Sequence, residues 1–203
     1  MDVHLPNSPV PIFPLPGAFL FPHQVMPLQV FEPRYLQMVE DLLDSPGRLV
    51  IGTLLEGERE TPEHPPAVLP VAGLGEILRH EKLPDGRYHI WVLGLTRVRI
   101  AERRSDRLYR QVLCSPFVEI DAAVAEANEL ARRLHRATAA RLKEPLPLPD
   151  SAPTSLLADL LLQTLGAPQS VMERVFSEPS VSTRARLVLR AASRSAKPRS
   201  DEA

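Results

Sequence analysis

The run PIFPLPGAFLFPHQVMPLQVFEPRYLQMV, from Pro11 to Val39, decides how the rest of the chain is read. Five prolines, Pro11, Pro14, Pro16, Pro22 and Pro27, stand between short apolar runs before any helix begins. A proline has no N–H to give to a ladder, so Ile12 to Leu15 and Val25 to Val30 read as short strands whose prolines sit at edges, starts or bulges. A helix follows over Pro33 to Asp44. Pro33 takes a first-turn position, where its missing N–H costs nothing. Tyr35, Leu36, Met38, Val39, Leu42 and Leu43 then share one stripe at helical spacing. Ser45-Pro46-Gly47 ends the helix.

Working outward, Arg48 to Leu55 is a near-continuous apolar strand, and Glu56 to Pro66 is a polar, proline-bearing surface loop. Glu76 to Lys82 pairs with Arg87 to Leu93 across Pro84-Asp85-Gly86, a turn with the glycine that positive φ requires. Tyr88, Ile90 and Val92 point one way along the return strand, and His89, Trp91 and Leu93 the other. Both faces are largely apolar, as in a strand buried on both sides. Gly94 bends or bulges the strand, after which Val98 and Ile100 alternate with Arg97 and Arg99. Leu108 to Val118 is the last long strand. Several strands with one inserted helix suggest a small, partly open barrel.

Strand signals vanish from Asp121 onward. Asp121 to Lys143 reads as one helix, with Val124, Ala127, Ala131, Leu134 and Thr138 inward and Glu126, Glu129, Arg132, Arg133 and Arg136 toward solvent. Prolines between Pro145 and Pro149 break it. Three more helices follow: Thr154 to Leu165, bounded by Gly166; Pro168 to Phe176; and Ser182 to Ala192. The expected division is therefore a β-rich lobe over residues 1–118, a helical lobe over 119–194 and a polar, disordered tail over 195–203.

Two motifs carry a resemblance. The opening run has the order FPLP, LFP, PL, FEPRY, and Val71 to Ile100 reads VAGLGEILRHEKLPDGRYHIWVLGLTRVRI. In this order and spacing they resemble the start of the amino-terminal, substrate-binding domain of Lon-type ATP-dependent proteases. His23 stands where that pattern has a glycine after LFP. The resemblance implies an α+β fold: a PUA-like β pseudobarrel with one inserted helix, followed by a C-terminal helical bundle. It also implies a non-enzymatic recognition role toward unfolded or apolar polypeptide segments, or an adaptor role toward a protease or chaperone.

Full Lon proteases continue into ATPase and Ser-Lys protease modules, whereas this sequence stops at Ala203, so a stand-alone recognition part is expected. No G-x-x-x-x-G-K-[ST] phosphate loop occurs, which argues against nucleotide hydrolysis. The only lysines, Lys82, Lys143 and Lys197, fall on a hairpin, at a helix end and in the tail, none beside a serine in an apolar pocket. A net charge of −1 removes a global argument for nucleic acid or membrane attraction. The single cysteine, Cys114, excludes an internal disulfide framework and reads as an inert thiol in a strand. No leader and no apolar run near 18 residues is evident, so a cytoplasmic address is expected; the oligomeric state is left open between monomer and weak dimer.

For binding, Phe19, Phe21, Phe31 and Tyr35 are the candidate peptide-contacting residues, with Phe13 beside them, although aromatic residues more often pack cores. Glu32 and Arg34, at i and i+2, do not face each other on a helix and are read as local ties to a helix start and to loop carbonyls. His80 and His89, nearly equidistant from the Asp85 turn, are neighbours across the hairpin, but two nitrogens do not make a zinc site. No metal and no cofactor is expected. The alternative function is RNA binding through Arg97, Arg99, Arg103, Arg104, Arg107 and Arg110, which crowd one strand-turn-strand segment. The competing reading of Arg97 and Arg99 is a guard on the outer face of a strand.

Overall fold

The computed structural model describes residues 3–55, 57, 65–142, 148–149 and 151–195. Contacts divide the chain into two units, Met1–Phe117 and Val118–Ala203. The first holds strands β1 (Val10–Pro16), β2 (Val25–Val30), β3 (Arg48–Leu54), β4 (Val71–Lys82), β5 (Tyr88–Arg103) and β6 (Gln111–Pro116), with helix α1 (Pro33–Leu43). The second holds helices α2 (Val124–Ala139), α3 (Thr154–Gln163), α4 (Gln169–Phe176) and α5 (Val181–Ser195).

The prolines of β1 lie in an interior strand, not at an edge. β1 pairs in parallel with β3 from Ile12↔Val50 to Pro16↔Leu54, and with β6 only at Val10 and Pro11. The Ile12 N–H donates to the Arg110 carbonyl at 3.0 Å, so donors of that parity face β6. Pro14 and Pro16 share the parity of Ile12, and their missing donors point past the place where β6 has left the ladder. Pro11 has the other parity and precedes the first β3 pair. Pro27 lies in β2, which has only β5 as a partner among the described residues.

β5 closes the sheet. Its first half pairs with β2, its second half with β6, and β4 follows it along both. The ring β5-β4-β3-β1-β6 is thereby complete, and β2 hangs on its outside. The change of partner falls at Gly94. There the register slips, so that Leu74 faces Thr96 and Gly75 faces Gly94, leaving Leu95 extra.

The glycine has a second reason to be there: a Cβ on Gly94 would stand 2.0 Å from the Phe21 carbonyl oxygen, and one on Gly73 would stand 2.3 Å from that of Leu20. The segment between β1 and β2 therefore lies directly on the sheet, with Phe19, Leu20 and Phe21 at 5%, 0% and 1% exposure. It is pinned by His23 N–H to Gly94 O and Gly94 N–H to Gln24 O, both 2.8 Å. His23 has φ 65°, a left-handed conformation that suits the glycine of the family pattern better than a side chain.

On one side of the strands Leu20, Leu49, Ile51, Ile90 and Val92 pack with Tyr35, Met38, Val39 and Leu42 of α1. On the other, Ile12, Val50, Ala72, Leu74, Val98 and Val112 form a second cluster. Buried residues alternate between the two along β3, which is why that strand reads as unbroken apolar sequence. Two expectations need correction. Leu43 lies at the margin of the α1 stripe, 37% exposed. The last strand starts at Gln111 and not Leu108, because the Leu108 N–H donates to Gln37 Oε1 (3.0 Å) and the Tyr109 hydroxyl to Asp41 Oδ2 (2.8 Å), tying that turn to α1.

In the helical unit α2 begins at Val124 rather than Asp121 and buries Leu130, Leu134 and Thr138, so Val124 ends 78% exposed. Thr154 opens α3 but donates its hydroxyl to the Ala127 carbonyl (3.2 Å), joining α3 to α2 instead of capping its own helix. Gly166, at φ 56°, follows α3. An isolated bridge pairs Ile120 with Ser180. Beneath it Arg184 is fully buried, donating to Glu119 Oε1 at 2.7 Å and the Glu178 carbonyl at 3.3 Å, with Nε 3.6 Å from Asp159 Oδ1. α5 continues through Ser195, into the residues expected as tail. Residues 196–203, Lys143 and most of the 56–66 loop lie outside the described residues.

Two outcomes follow. Gly94→Ala should lower stability by about 1–3 kcal/mol through overpacking against the Phe21 carbonyl, measured as a shift of the urea midpoint. Arg184→Ala should cost about 3–5 kcal/mol, because it removes the fully buried cation that Glu119 and Asp159 face. A midpoint within error of wild type for either variant would contradict the packing described.

Candidate functional site

β2 is amphipathic with period two. Met26, Leu28 and Val30 face the α1 side, and Val25, Pro27 and Gln29 are exposed, as is Phe31 directly after the strand at 61%. The register carries this outward row across the sheet. Val25 stands opposite Leu93, Pro27 opposite Trp91 and Gln29 opposite His89; in β4 Glu76, Arg79 and Glu81 complete the three rows. Leu78 sits in the bulge between Ile77 and Arg79 and is 62% exposed. The Arg79 guanidinium lies 4.8 Å from the Trp91 ring centroid, and His89 meets that ring edge-on at 6.4 Å. The outer face of β2, β5 and β4 thus presents aliphatic and aromatic surface framed by charges. Its second side is half-buried, whereas the sequence reading has both sides of β5 buried.

The aromatic candidates divide. Phe19, Phe21 and Tyr35 are 5%, 1% and 5% exposed, packed under the segments that carry them, whereas Phe31 is open. The Tyr35 ring lies 4.2 Å from that of Phe13 and the Phe21 ring 5.4 Å from the Arg97 guanidinium. Val25, Leu78, Trp91 and Leu93 were missed as surface candidates. Alternation in Val25 to Phe31 is the signal that finds the β2 part of the row. Glu32 and Arg34 do meet, contrary to expectation: Arg34 donates Nε and Nη2 to Glu32 Oε2 at 3.1 and 2.8 Å. Glu32 is the extended residue before the helix, with φ −73° and ψ 136°, so helical i,i+2 geometry does not apply to it.

The arginine segment is not one surface. Arg97 is buried at 3% exposure, which also removes it from the outer face of its strand. Arg107 reaches Asp41 at 3.5 Å; Arg110 pairs with Glu102 and donates to the Pro66 carbonyl at 2.9 Å. The Arg99 guanidinium lies 5.6 Å from the Phe117 ring, and Arg103 and Arg104 are exposed.

His80 stands opposite Ile90, and His89 opposite Glu81, so the two histidines occupy opposite sides of the hairpin. No group of three His, Cys, Asp or Glu able to hold a metal occurs among the described residues. Burial pushes the Cys114 thiol up to about 11, the reverse of what a thiolate nucleophile needs. The Lys82 ammonium is held above its ordinary value by the Tyr88 hydroxyl and by Glu40, 3.2 Å away. No helix among the described residues is long and apolar enough to cross a membrane.

A closed small β-barrel with an inserted helix and an outlying edge strand, followed in the chain by a helical unit, places the protein in the α+β class. Residues 9–194 match the family described as the ATP-dependent protease La (LON) substrate-binding domain. The chain belongs to that family. Among curated relatives, a Lon protease of Desulfosudis oleivorans is 28% identical over 95 residues, 47% of this chain and 12% of the relative. Lon protease 1 of Herpetosiphon aurantiacus is 27% identical over 188 residues, 85% of this chain and 22% of the relative. The chain thus spans less than a quarter of either relative's length.

Among solved structures, the N-terminal domain of Mycobacterium avium complex Lon protease superposes with a TM-score of 0.67 at 16% identity, covering 92% of this chain and 98% of that one. A Lon N-terminal domain protein from Xanthomonas campestris gives 0.65 at 20% identity, covering 90% and 98%. The shared fold is α+β, with a six-stranded sheet and helices.

Tyr109, which anchors the turn before β6, yields a pH test. Burial, with Asp41 adding to it, pushes its hydroxyl up to about 12. A group raised in the folded state stabilises fully below its unfolded value near 10 and loses that contribution as pH climbs from about 10 through 12. Wild type should therefore lose stability over this range more steeply than Tyr109→Phe, read as the difference in urea midpoint between the two proteins. Parallel curves would contradict the anchoring role.

Proposed function

We propose that this chain is a non-enzymatic recognition module of the cytoplasm, monomeric or weakly dimeric. It captures extended, apolar segments of unfolded polypeptides through the outer face of β2, β5 and β4 and can present them to a protease or chaperone. One observation carries this reading: in a chain whose family is a substrate-binding domain, the exposed row Val25, Pro27 and Phe31 continues through Leu93 and Trp91 to Leu78. Apolar surface gathered at one place on a domain marks an interaction site more often than scattered exposed residues do. Aromatic residues are also the commonest anchors of binding energy. Two observations favour a non-catalytic role. The Cys114 thiol and the Lys82 ammonium are both shifted toward their protonated forms.

RNA capture through Arg97 to Arg110 receives less support, since Arg97 is buried and Arg107 and Arg110 have carboxylate partners.

Trp91 is the chain's only tryptophan and lies within the proposed face, so it reports binding without a label. Titration with a reduced, alkylated polypeptide lacking tryptophan should shift Trp91 emission with a Kd on the order of micromolar or weaker. Burial of apolar area is not screened, so the affinity should change little between low and moderate salt. Phe31→Ser should weaken binding about fivefold or more, and Arg103→Ser/Arg104→Ser/Arg107→Ser should leave it nearly intact. Steeply salt-dependent binding that only the triple arginine change abolishes would replace this reading with the RNA one.

A further inference from the structure

A second concentration of arginine lies in the helical unit, apart in sequence from the 97–110 segment. Leu130 to Leu142 contains four arginines and Pro179 to Ser195 another four, and neither stretch contains an aspartate or glutamate. α2 and α5 run in the same direction, joined by Arg186 to Glu126 at 2.6 Å and, further along, by Arg141 Nη2 to the Ala192 carbonyl at 2.7 Å. Between their C-terminal halves lies a groove of about 470 Å³ flanked by Arg133, Arg136 and Arg141 over a floor that includes Ala137, Ala140 and Leu189. Arg190 and Arg194, both exposed, follow its lining residues Leu189 and Ser193 in sequence.

Among the described residues Glu126 holds Arg186, Glu129 holds Arg132 at 2.7 Å and is felt at longer range by Arg133 and Arg136, and Glu119 and Asp159 hold buried Arg184. Arg133, Arg136, Arg190 and Arg194 are left without a carboxylate within 4.0 Å among the described residues.

Helix stability accounts for only half of this arrangement. Arg136 and Arg194 lie in the last turns of α2 and α5, where basic residues are favoured, but Arg133 and Arg190 each precede the last turn of their own, where the dipole effect has faded. Arg186, Arg190 and Arg194 repeat at i, i+4 and i+8, and like charges at that spacing destabilise a helix. The fold carries mutual repulsion that an external anion would relieve.

We propose that the α2–α5 groove binds an acidic segment of polypeptide, in a client or a partner protein. This surface is independent of the apolar face of the β unit, and either can fail without the other. Peptide is favoured over nucleic acid because residues 118–195 contain one aromatic residue, Phe176, which is 1% exposed, so single-stranded bases have nothing to stack on. The groove's small apolar floor accepts side-chain methylenes between carboxylates. From Arg133 to Arg141 it runs about 12 Å along the helix, the length of about four residues of extended chain.

The test uses three fluorescein-labelled probes of about ten units each, alternating Glu-Ser, alternating Gln-Ser and oligouridylate, titrated with the full chain and read by anisotropy. The Glu probe should bind about tenfold or more tightly than the Gln probe, weakening as salt rises. Arg133→Ser/Arg136→Ser/Arg190→Ser should weaken it about tenfold, whereas the corresponding triple lysine variant should retain it within about threefold. Arg103→Ser/Arg104→Ser should have no effect, and thermal melting should confirm that every variant is folded. Equal affinity for the Glu and Gln probes, wild-type affinity in the folded serine variant, or tighter binding of oligouridylate than of the Glu probe would each overturn the proposal.

Discussion

The backbone of Leu20 and Phe21 lies so close to β4 and β5 that no side chain fits beneath it, and the rest of the β unit follows from that approach. Gly73 and Gly94 are the positions where it happens. With the 19–21 segment seated there, β5 changes partner at Gly94, from β2 before it to β6 after it, and the ring of strands closes. β2 is left outside the ring with one partner. α1 then returns over the sheet and covers the inner residues of β2, leaving Val25, Pro27, Gln29 and Phe31 in solvent. The apolar face that supports the functional reading is thus a by-product of the tight crossing beneath Phe21.

Arginine shows how little local sequence density says about charge in space. The dense run from Arg97 to Arg110 is dispersed by folding: one member is buried, two find carboxylates and one stacks on Phe117. In the helical unit arginines spaced along two separate helices converge because α2 and α5 lie parallel and carry no acidic residues over their C-terminal halves. Arg184 is the exception within that unit, fully buried among Glu119, Asp159 and the Glu178 carbonyl. It holds the residues before α2 and α5 to α3, and a hydrophobic residue in its place alone would leave the facing carboxylates without that cation.

The two units therefore offer different physics to a partner. The β unit presents apolar area on a strand row, a non-directional attraction that salt does not screen. The helical unit presents fixed cations, whose attraction is longer in range and falls with ionic strength.

Much was legible from residues alone wherever a local rule governs. Pro33 marks the start of α1, Gly86 the hairpin turn and Gly166 the end of α3, because each of these backbone conformations is decided within a few residues. The two motifs that carry the family resemblance are local in the same sense, and the fold they imply is the one observed. Tertiary structure alone decided which apolar residues face water. Phe19, Phe21 and Phe31 look equivalent in sequence, yet two lie under a crossing chain and one beyond the last residue of an edge strand. Likewise Arg97 and Arg99 share a parity and each meets a phenylalanine, Phe21 and Phe117, yet only Arg97 is buried. Periodicity sorts residues onto faces; only the packing of distant segments onto those faces determines which are buried.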